Sequence, residues 1–497
     1  MRVYGPFALI AVGLLGLAAF VLHAQAISEW AFPEADHRLY YRYDARGNSI
    51  MDFSSAGYRA GGVKLPSGAA AQRLIPASGD NTARIQAALD NATGAVVLAA
   101  GEYEIAGTLS ITRSGVALRG EKGVRVLLTG KPHPFLEIHG TGTWREEGLA
   151  APVLDAYVPA GASTFRVRGA SAFHTGDRVL VLRPVTAEWI HFMGMDTLVR
   201  DSQAQTWIRA GSVIRTDRVV ESVDRDRVTL DVPLSDTLDS QFTAASLVRY
   251  TFPGRITEVG VEGLRIEAPF EDVPITGPQY TALRMDAVED GWARDLEIRE
   301  TQNGVVIGQG AKRLTLTNLR ITHSATHSDS TAPTDFALQG TQILLDRCRV
   351  TGEGTWPVVT RSEVTGPVVV LNFTADHGGV ATHPGWATGL LVDGSKFPGG
   401  TERRPGLAFS SRATAGSGHG WDIGWAVAWN VSSPFLLVQQ PPGALNWCIG
   451  CIGTPVTIGS TPNGIFDSQG KIVEPASLYL QQLRDRLGPD AVQNIGY

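Results

Sequence analysis

Cysteine is scarce in this chain, with only three among 497 residues. So few cysteines exclude a fold that is held together by a framework of disulfides. Cys448 and Cys451 form a single Cys-x-x-Cys sequence. Residues three apart on a strand point to opposite faces, so a metal site here would need ligands from elsewhere in the chain. We therefore expect buried thiols or a local disulfide.

An excess of one charge and long internal hydrophobic runs are also missing. The chain carries 43 Lys and Arg against 49 Asp and Glu, and this net charge of −6 gives no indication of nucleic-acid binding. Beyond the N-terminus, no apolar stretch is long enough to cross a bilayer. Apolar residues still make up 43% of the chain beside 56 glycines, which is typical of a Gly-rich all-β protein rather than a disordered one.

The N-terminal residues 1–26 have the pattern of a signal peptide. Arg2 supplies the positive charge, an apolar run extends from Ala8 to Leu22, and Ala24-Gln25-Ala26 matches a small-x-small cleavage site. A retained membrane anchor is the alternative, because the apolar run is only slightly too short to span. We predict cleavage and a mature protein that is secreted or periplasmic, with no membrane span.

A short alternating phrase recurs through the second half of the chain. Alternation of apolar and polar residues predicts strands with one buried face. The intervals between copies are 32, 23, 29 and 23 residues, too long for a β-sandwich, in which strands recur about every 8–12 residues. They favour stacked coils of a right-handed parallel β-helix. The copies are Leu264-Arg265-Ile266, Leu296-Glu297-Ile298, Leu319-Arg320-Ile321, Cys348-Arg349-Val350 and Leu371-Asn372-Phe373.

The predicted architecture is therefore all-β, with a few additions to the solenoid. We expect a capping helix near residue 82 and a small β subdomain inserted between the early coils of the solenoid. An amphipathic helix is expected at the end of the chain. The predicted segments are a signal peptide (1–26), an N-terminal arm (27–75), the start of the β-helix with its capping helix (76–154), the inserted subdomain (155–250), the main coils with a candidate groove (251–460) and a C-terminal tail helix (461–497).

The sequence from Gly79 to Leu89, followed by Val96-Val97-Leu98 and Gly101-Glu102-Tyr103, resembles the opening of pectate-lyase-superfamily proteins. The resemblance implies that this short helix plugs the N-terminal end of a right-handed β-helix, where core and strand edges would otherwise be exposed. It also implies a choice among polysaccharide lyases, glycoside hydrolases, epimerases and phage tailspikes, because this fold does not determine the reaction.

Residues of chemical interest concentrate between positions 370 and 450. Because stacked coils stand about 4.8 Å apart, side chains at matching positions on successive coils form a column. Such a column of imidazole, guanidinium and indole groups can hold a sugar chain. The predicted catalytic residues are His383, Arg412, His419 and Asp376, and the predicted substrate-binding residues are Trp386, Trp421, His377, Gln439 and Trp447.

These phrases also resemble a set of exported β-helix proteins of the same superfamily. The shared pattern has a His shortly before Trp-Ala-Thr-Gly, then Gly-Ser-Gly-His-Gly-Trp and Pro-Pro-Gly…Asn-Trp, and the resemblance spans most of residues 50–490. His383, Arg412, His419 and Trp421 match it position for position. Pro384-Gly385 stands where the pattern has a basic residue, which puts that contact in doubt. The resemblance implies an enzyme without naming its substrate.

Three functions follow, of which the first is favoured. A polysaccharide lyase acting on a uronic-acid glycan needs a base, for which His383 or His419 is suited, and a cation such as Arg412 on the carboxylate. A glycoside hydrolase needs two carboxyl groups about 5–9.5 Å apart; its candidates are Asp376, Asp393, Asp422, Asp335 and Glu300. The third function is glycan binding without catalysis. Calcium is a candidate cofactor through Asp376, Asp335 and Asp329, although no loop has calcium-ligand spacing.

Overall fold

The computed structural model describes residues 26–274, 276–324, 326, 333–416 and 418–497. The predicted signal peptide lies almost entirely outside the described residues, and so does Asp329. Among the described residues, no helix combines the length and the apolar character that crossing a membrane requires.

Three parallel sheets form the solenoid, and the chain visits them in turn to form the coils of a right-handed parallel β-helix; sheet 3 ends earlier in the chain than the other two. This confirms the predicted fold class. Sheet 1 contains Ala70–Leu74, Ala95–Leu98, Ala117–Gly120, Ile256–Glu262, Val288–Arg294, Lys312–Thr317, Thr341–Asp346, Thr365–Leu371, Ala387–Asp393, Ile423–Gly424, Val427–Trp429, Trp447–Ile449 and Ile465–Asp467. Sheet 2 contains Leu109–Ile111, Pro134–His139, Thr281–Asp286, Asn303–Ile307, Thr334–Leu338, Trp356–Thr360, Val380–Thr382, Leu407–Phe409, Ser432–Val438 and Ile452–Pro455. Sheet 3 contains Gly101–Ile105, Val124–Leu128, Arg265–Glu267, Glu297–Arg299, Arg320–Thr322, Arg349–Thr351 and Thr374–Ala375.

The repeated phrase forms sheet 3 and the turn that leads into it. Ile266, Ile298, Ile321 and Val350 pair in register on successive coils and are buried in the solenoid. The fifth copy was aligned wrongly, because Ala375 is the residue that pairs with Val350. A shift by two residues keeps every side chain on its own face, so alternation alone could not reveal the error.

The turn from sheet 1 to sheet 3 requires a left-handed backbone. Asp295, Asn318, Asn372 and Asn430 occupy this position with φ between 49° and 56°. Asn and Asp tolerate that conformation better than other non-glycine residues. Polar residues before the repeated phrase are thus explained by backbone geometry.

The remaining elements close and cover the solenoid. Helix Thr82–Asn91 caps the N-terminal end, and the C-terminal tail carries helices Leu478–Leu487 and Pro489–Asn494. The inserted subdomain is an antiparallel sheet with one short helix, Ala187–Phe192, and its sheet strands are Arg145–Pro152, Thr164–Arg166, Arg178–Pro184, Val213–Asp224, Arg227–Leu230 and Ser246–Thr251. Its first strand precedes the predicted start at residue 155. Short pairs are Ala26–Ile27 with Val473–Glu474, Ala31–Pro33 with Leu39–Tyr41, Tyr157–Val158 with Leu238–Asp239, and Val199–Arg200 with Gln203–Ala204; single 3₁₀ turns are Tyr58–Ala60 and Ala170–Ala172.

The outer face of sheet 1 is covered by the N-terminal arm, the inserted subdomain and the tail. Tyr58 N–H donates to the Thr315 hydroxyl, and the Tyr479 hydroxyl donates to the carbonyl of Ala56. Lys312, fully buried, donates to Asp217 of the inserted subdomain at 2.7 Å. Sheet 1 therefore offers no open surface along these contacts, whereas sheet 2 keeps an accessible outer face.

All three cysteines are free thiols and buried. Burial raises the pKa of the Cys448 thiol well above its usual range, and the neighbouring Cys451 adds to this effect. Of the two expectations for this pair, the structure has the buried thiols.

Candidate active site

The candidate site lies where sheet 2 strands end and the chain turns toward sheet 1. His383 follows strand Val380–Thr382, and Arg412 and His419 lie in the loop after strand Leu407–Phe409. We call residues 411–416 and 418–421 the His419 loop. Because the two strands are parallel neighbours, with Val380 opposite Leu407, their carboxyl ends bring distant parts of the chain to one place.

His383 and His419 are in direct contact. Their rings meet edge to face, with centroids 4.2 Å apart and planes at 90°. The predicted column on successive coils therefore exists for these two residues. In the described part of the chain, the Nδ1 atom of His419 is buried and has no hydrogen-bond partner.

Both imidazoles are held in the neutral form. Burial, followed by the charges of His419, Arg412 and Arg361, lowers the pKa of His383 to about 3. Burial and Arg412 also lower the pKa of His419. Arg412 is thus close enough to act on both rings. A neutral imidazole can accept a proton, and a nearby guanidinium can bind a carboxylate.

Asp422 lies beneath this group and is fully buried. Neither of its carboxyl oxygens has a hydrogen-bond partner among the described residues. Burial raises its pKa well above the usual range, and Arg412 opposes that rise. Asp422 was a candidate hydrolase carboxylate. With no exposed surface it cannot touch a polymer.

A groove of about 240 Å³ lies on the outer face of sheet 2; Arg412 and Thr382, which precedes His383, line it, and neither His383 nor His419 does. Small and apolar side chains, Ala381, Ala408 and Leu437, are among its lining residues. Trp356 forms one wall, with the guanidinium carbon of Arg404 at 4.4 Å and that of Arg412 at 5.6 Å from its ring centre. Sequence reasoning missed Trp356 and Arg404. The signal available was that Trp356 begins the sheet 2 strand one coil before His383.

Asp376 does not join the histidines. Its carboxylate pairs with Arg349 of sheet 3 at 2.8 Å, and Asp376 does not line the groove. Asp376 is therefore an ion-pair residue and not a partner of His383. His377 lies on the turn into strand Val380–Thr382, with its imidazole 3.7 Å from the Glu353 carboxylate. It precedes Gly378, which lines the groove, and so lies at the edge of the groove.

The three tryptophans that were expected to stack on sugar are buried, so that prediction is wrong. Trp386, Trp421 and Trp447 are 2%, 5% and 1% exposed. They pack in the cluster between sheet 1, the inserted subdomain and the arm, where Trp386 donates to Asp236 and Trp447 contacts Trp30. A ring with both faces covered cannot bind a sugar.

Gln439 is also buried and takes a supporting position. Its side-chain oxygen accepts a hydrogen bond from Ser411 N–H at 2.9 Å. Gln439 therefore fixes the start of the His419 loop rather than contacting a ligand.

The residues present do not fit calcium. Within the described ranges, no three His, Cys, Asp or Glu side chains gather as metal ligands. Arginines surround the histidines, and Asp335 is paired with His323 at 2.6 Å. Calcium prefers several carboxylate and carbonyl oxygens, which these residues do not offer.

The fold and site define a right-handed parallel β-helix with a basic groove on one face. No protein-family model matches the chain, and no curated protein matches its sequence. The resemblance to the pectate lyase superfamily is supported in its architecture, and membership in that family stays a prediction.

Three solved structures illustrate what the chain is similar to. The Gp54 tailspike of Acinetobacter baumannii bacteriophage AP22, solved with a capsular saccharide, is 11% identical over 76% of this chain and 51% of its own, with a TM-score of 0.38. Polygalacturonase from Erwinia carotovora is 11% identical over 83% and 98%, at 0.33. PfbA, a surface adhesin of Streptococcus pneumoniae, is 9% identical over 81% and 93%, at 0.29. This chain spans about half the length of that tailspike. At TM-scores this low the matches carry no argument about what the chain does.

Proposed function

We propose that this protein is an exported carbohydrate-active enzyme that cleaves a uronic-acid-containing glycan by β-elimination. The observation that carries the proposal is the contact of two neutral imidazoles, His383 and His419, near the guanidinium of Arg412, which lines the groove.

The charge of the groove supports an acidic substrate. Arg403, Arg404 and Arg412 line it, and Arg361 lies near His383. In the portion of the chain that is described, none of these four arginines forms an ion pair with a carboxylate. The whole chain is nevertheless acidic, at −6. Guanidinium groups without acidic partners are suited to bind carboxylates of a ligand, with two parallel hydrogen bonds where geometry allows.

The elimination assigns one role to each group. Arg412 binds the uronate carboxylate, which makes the proton on C5 more acidic. His419 removes that proton, the electron pair forms the C4–C5 double bond, and the C4–O bond breaks. The leaving oxygen then takes the proton back from His419. Burial, His419 and the charges of Arg412 and Arg361 lower the pKa of His383 to about 3, which makes it a weak base. Only burial and Arg412 lower the pKa of His419, so we assign the base to His419.

Cleavage assays on a panel of uronate polymers test the proposal. We expect ultraviolet absorbance from an unsaturated uronate product, lost in His419→Gln and Arg412→Leu and unaffected in Asp376→Asn, whose side chain pairs with Arg349. A neutral glucan serves as the substrate control. New reducing ends without that absorbance would indicate hydrolysis instead. Binding with neither signal would make the protein a glycan-binding β-helix.

Export is part of the proposal, and it rests on the N-terminal pattern of residues 1–26. Expression with this segment should deliver the protein to the medium or periplasm. N-terminal sequencing of that protein should begin after Ala26. A start at Met1 in a membrane fraction would support the retained anchor.

A further inference from the structure

We propose that the inserted subdomain positions the candidate site, and that Trp207 is the positioning residue that holds His383 and His419 together. This inference rests on the proposed function for its kinetic consequences only. The geometry behind it concerns the segment 187–208 of the inserted subdomain, which lies against the His419 loop.

Three contacts join the segment to the loop. The indole N–H of Trp207 donates to the carbonyl of Trp421 at 3.0 Å, two residues after His419. The N–H of Trp421 donates in return to the sulfur of Met195 at 3.3 Å. Arg200 donates to the carbonyl of Gly416 at 2.8 Å. Both sides of His419 are thereby attached to the inserted subdomain.

Close packing adds to these hydrogen bonds. Gly420, between His419 and Trp421, has φ of +59°, and a Cβ there would overlap the ring of Trp207 and the sulfur of Met195. A Cβ on Gly418 would likewise meet Gln205. The backbone on each side of His419 can approach the segment this closely only because glycine occupies both positions.

Trp207 also contacts the segment that carries the other imidazole. Its ring lies 6.2 Å from that of Trp386, three residues after His383, and 5.0 Å from that of Trp189. One buried indole therefore contacts the chain shortly after His383, at Trp386, and shortly after His419, at Trp421. Since Trp386 and Trp421 are themselves fixed by burial, Trp207 sets the spacing between the two loops.

The experiment is a comparison of Trp207→Phe with Trp425→Phe. Both variants remove a buried indole N–H donor at 3.0 Å; that of Trp425 donates to Asp236, and its ring packs on Trp447. The first readout is an NMR titration of the imidazoles without substrate, assigned with His419→Gln. Burial and Arg412 act on the pKa of His419, and burial, His419, Arg412 and Arg361 act on that of His383.

In Trp207→Phe the loosened loop admits water, so the pKa of His419 should rise toward its usual value, while Trp425→Phe should titrate as wild type. The second readout is kinetic: kcat should fall about tenfold with KM little changed, since misplacement by about 1 Å costs up to about a hundredfold. Arg200→Ala, which lies on the surface, should shift the titration in the same direction and serves if Trp207→Phe unfolds.

The two proposals fail separately. If neither Trp207→Phe nor Arg200→Ala changes the imidazole titrations, the positioning role is wrong, whether or not the protein cleaves a glycan. If the titrations shift but the wild-type protein cleaves no uronate polymer, the positioning role stands and the proposed reaction falls.

Discussion

The carboxylate of Asp393 accepts hydrogen bonds from the Ser477 hydroxyl at 2.7 Å and from Tyr479 N–H at 2.9 Å. Asp393 ends a strand of sheet 1, and Ser477 is the N-cap of the tail helix Leu478–Leu487. This carboxyl group therefore holds the tail to the solenoid, together with Asn430, whose side chain donates to the carbonyl of Val473 at 2.9 Å. Asp393 is fully buried, and burial raises its pKa to about 7 against the hydrogen bonds, which lower it.

We predict a stability that depends on this group between about pH 4 and pH 7. Because the pKa of Asp393 is higher in the folded than in the unfolded protein, its stabilising contribution is complete below the unfolded value of about 3.8 and is lost as pH rises through about 7. Urea unfolding across this range should show a slope of up to about 1.4 kcal/mol per pH unit, smaller in Asp393→Asn. Asp376→Asn is the control. Parallel curves for Asp393→Asn and wild type would contradict the prediction.

A second prediction concerns the attachment of the inserted subdomain. Asp217 accepts from Lys312 at 2.7 Å and pairs with Arg255 at 3.0 Å, with all three side chains almost wholly buried. Asp217→Asn removes the counter-charge of the buried Lys312 and leaves Arg255 with only Glu289 at 3.9 Å, so it should lower the free energy of unfolding by about 3–5 kcal/mol. Adding Lys312→Met should restore part of that loss. Chemical denaturation measures both, and a double variant no more stable than Asp217→Asn would refute the account.

The fold could be predicted from sequence because its rules are local. The alternation of apolar and polar residues predicted which side chains of sheet 3 point into the core. The polar residues Asp295 and Asn318 precede these strands because the turn there requires a left-handed backbone. The helix that begins at Thr82 was likewise expected from local sequence, and the Thr82 N–H donates to Asp80 at 2.9 Å. Alternation does not fix register, however, which is why the copy at Leu371 was aligned two residues too early.

The site was predictable only in part. His383 and His419 end neighbouring parallel strands, so their proximity follows once the coils are known. The burial of Trp386 does not, because the groups that cover it belong to the insertion: Asp236 lies 150 residues and Trp207 lies 179 residues earlier in the chain. Nothing local distinguishes an indole under an inserted subdomain from one that faces solvent.

Removing the positive charge of Arg412 should shift the pKa values of His383 and His419 in the same direction. Arg412 lowers the pKa of His383 and that of His419. In Arg412→Leu both pKa values should therefore rise, while Arg412→Lys, which retains the charge, should keep them near wild type. Imidazole NMR titrations measure this without any substrate. If Arg412→Leu titrates as wild type, Arg412 does not act on these rings, and its role on the carboxylate loses its support.

Trp356 should determine affinity for acidic oligosaccharides rather than the rate of cleavage. Its ring lies under the guanidinium groups of Arg404 and Arg412, and cation–π contacts of this kind hold arginines in place for about 0.5–2 kcal/mol. Trp356→Ala should weaken binding about tenfold, which is about 1.4 kcal/mol, whereas Trp356→Phe should retain most of it. Calorimetric titration in a His419→Gln background avoids cleavage. Tyr43→Ala removes an aromatic ring that is 65% exposed on the N-terminal arm and provides the control. Equal losses in the Trp356 and Tyr43 variants, or none in either, would mean that the groove on sheet 2 is not where the glycan binds.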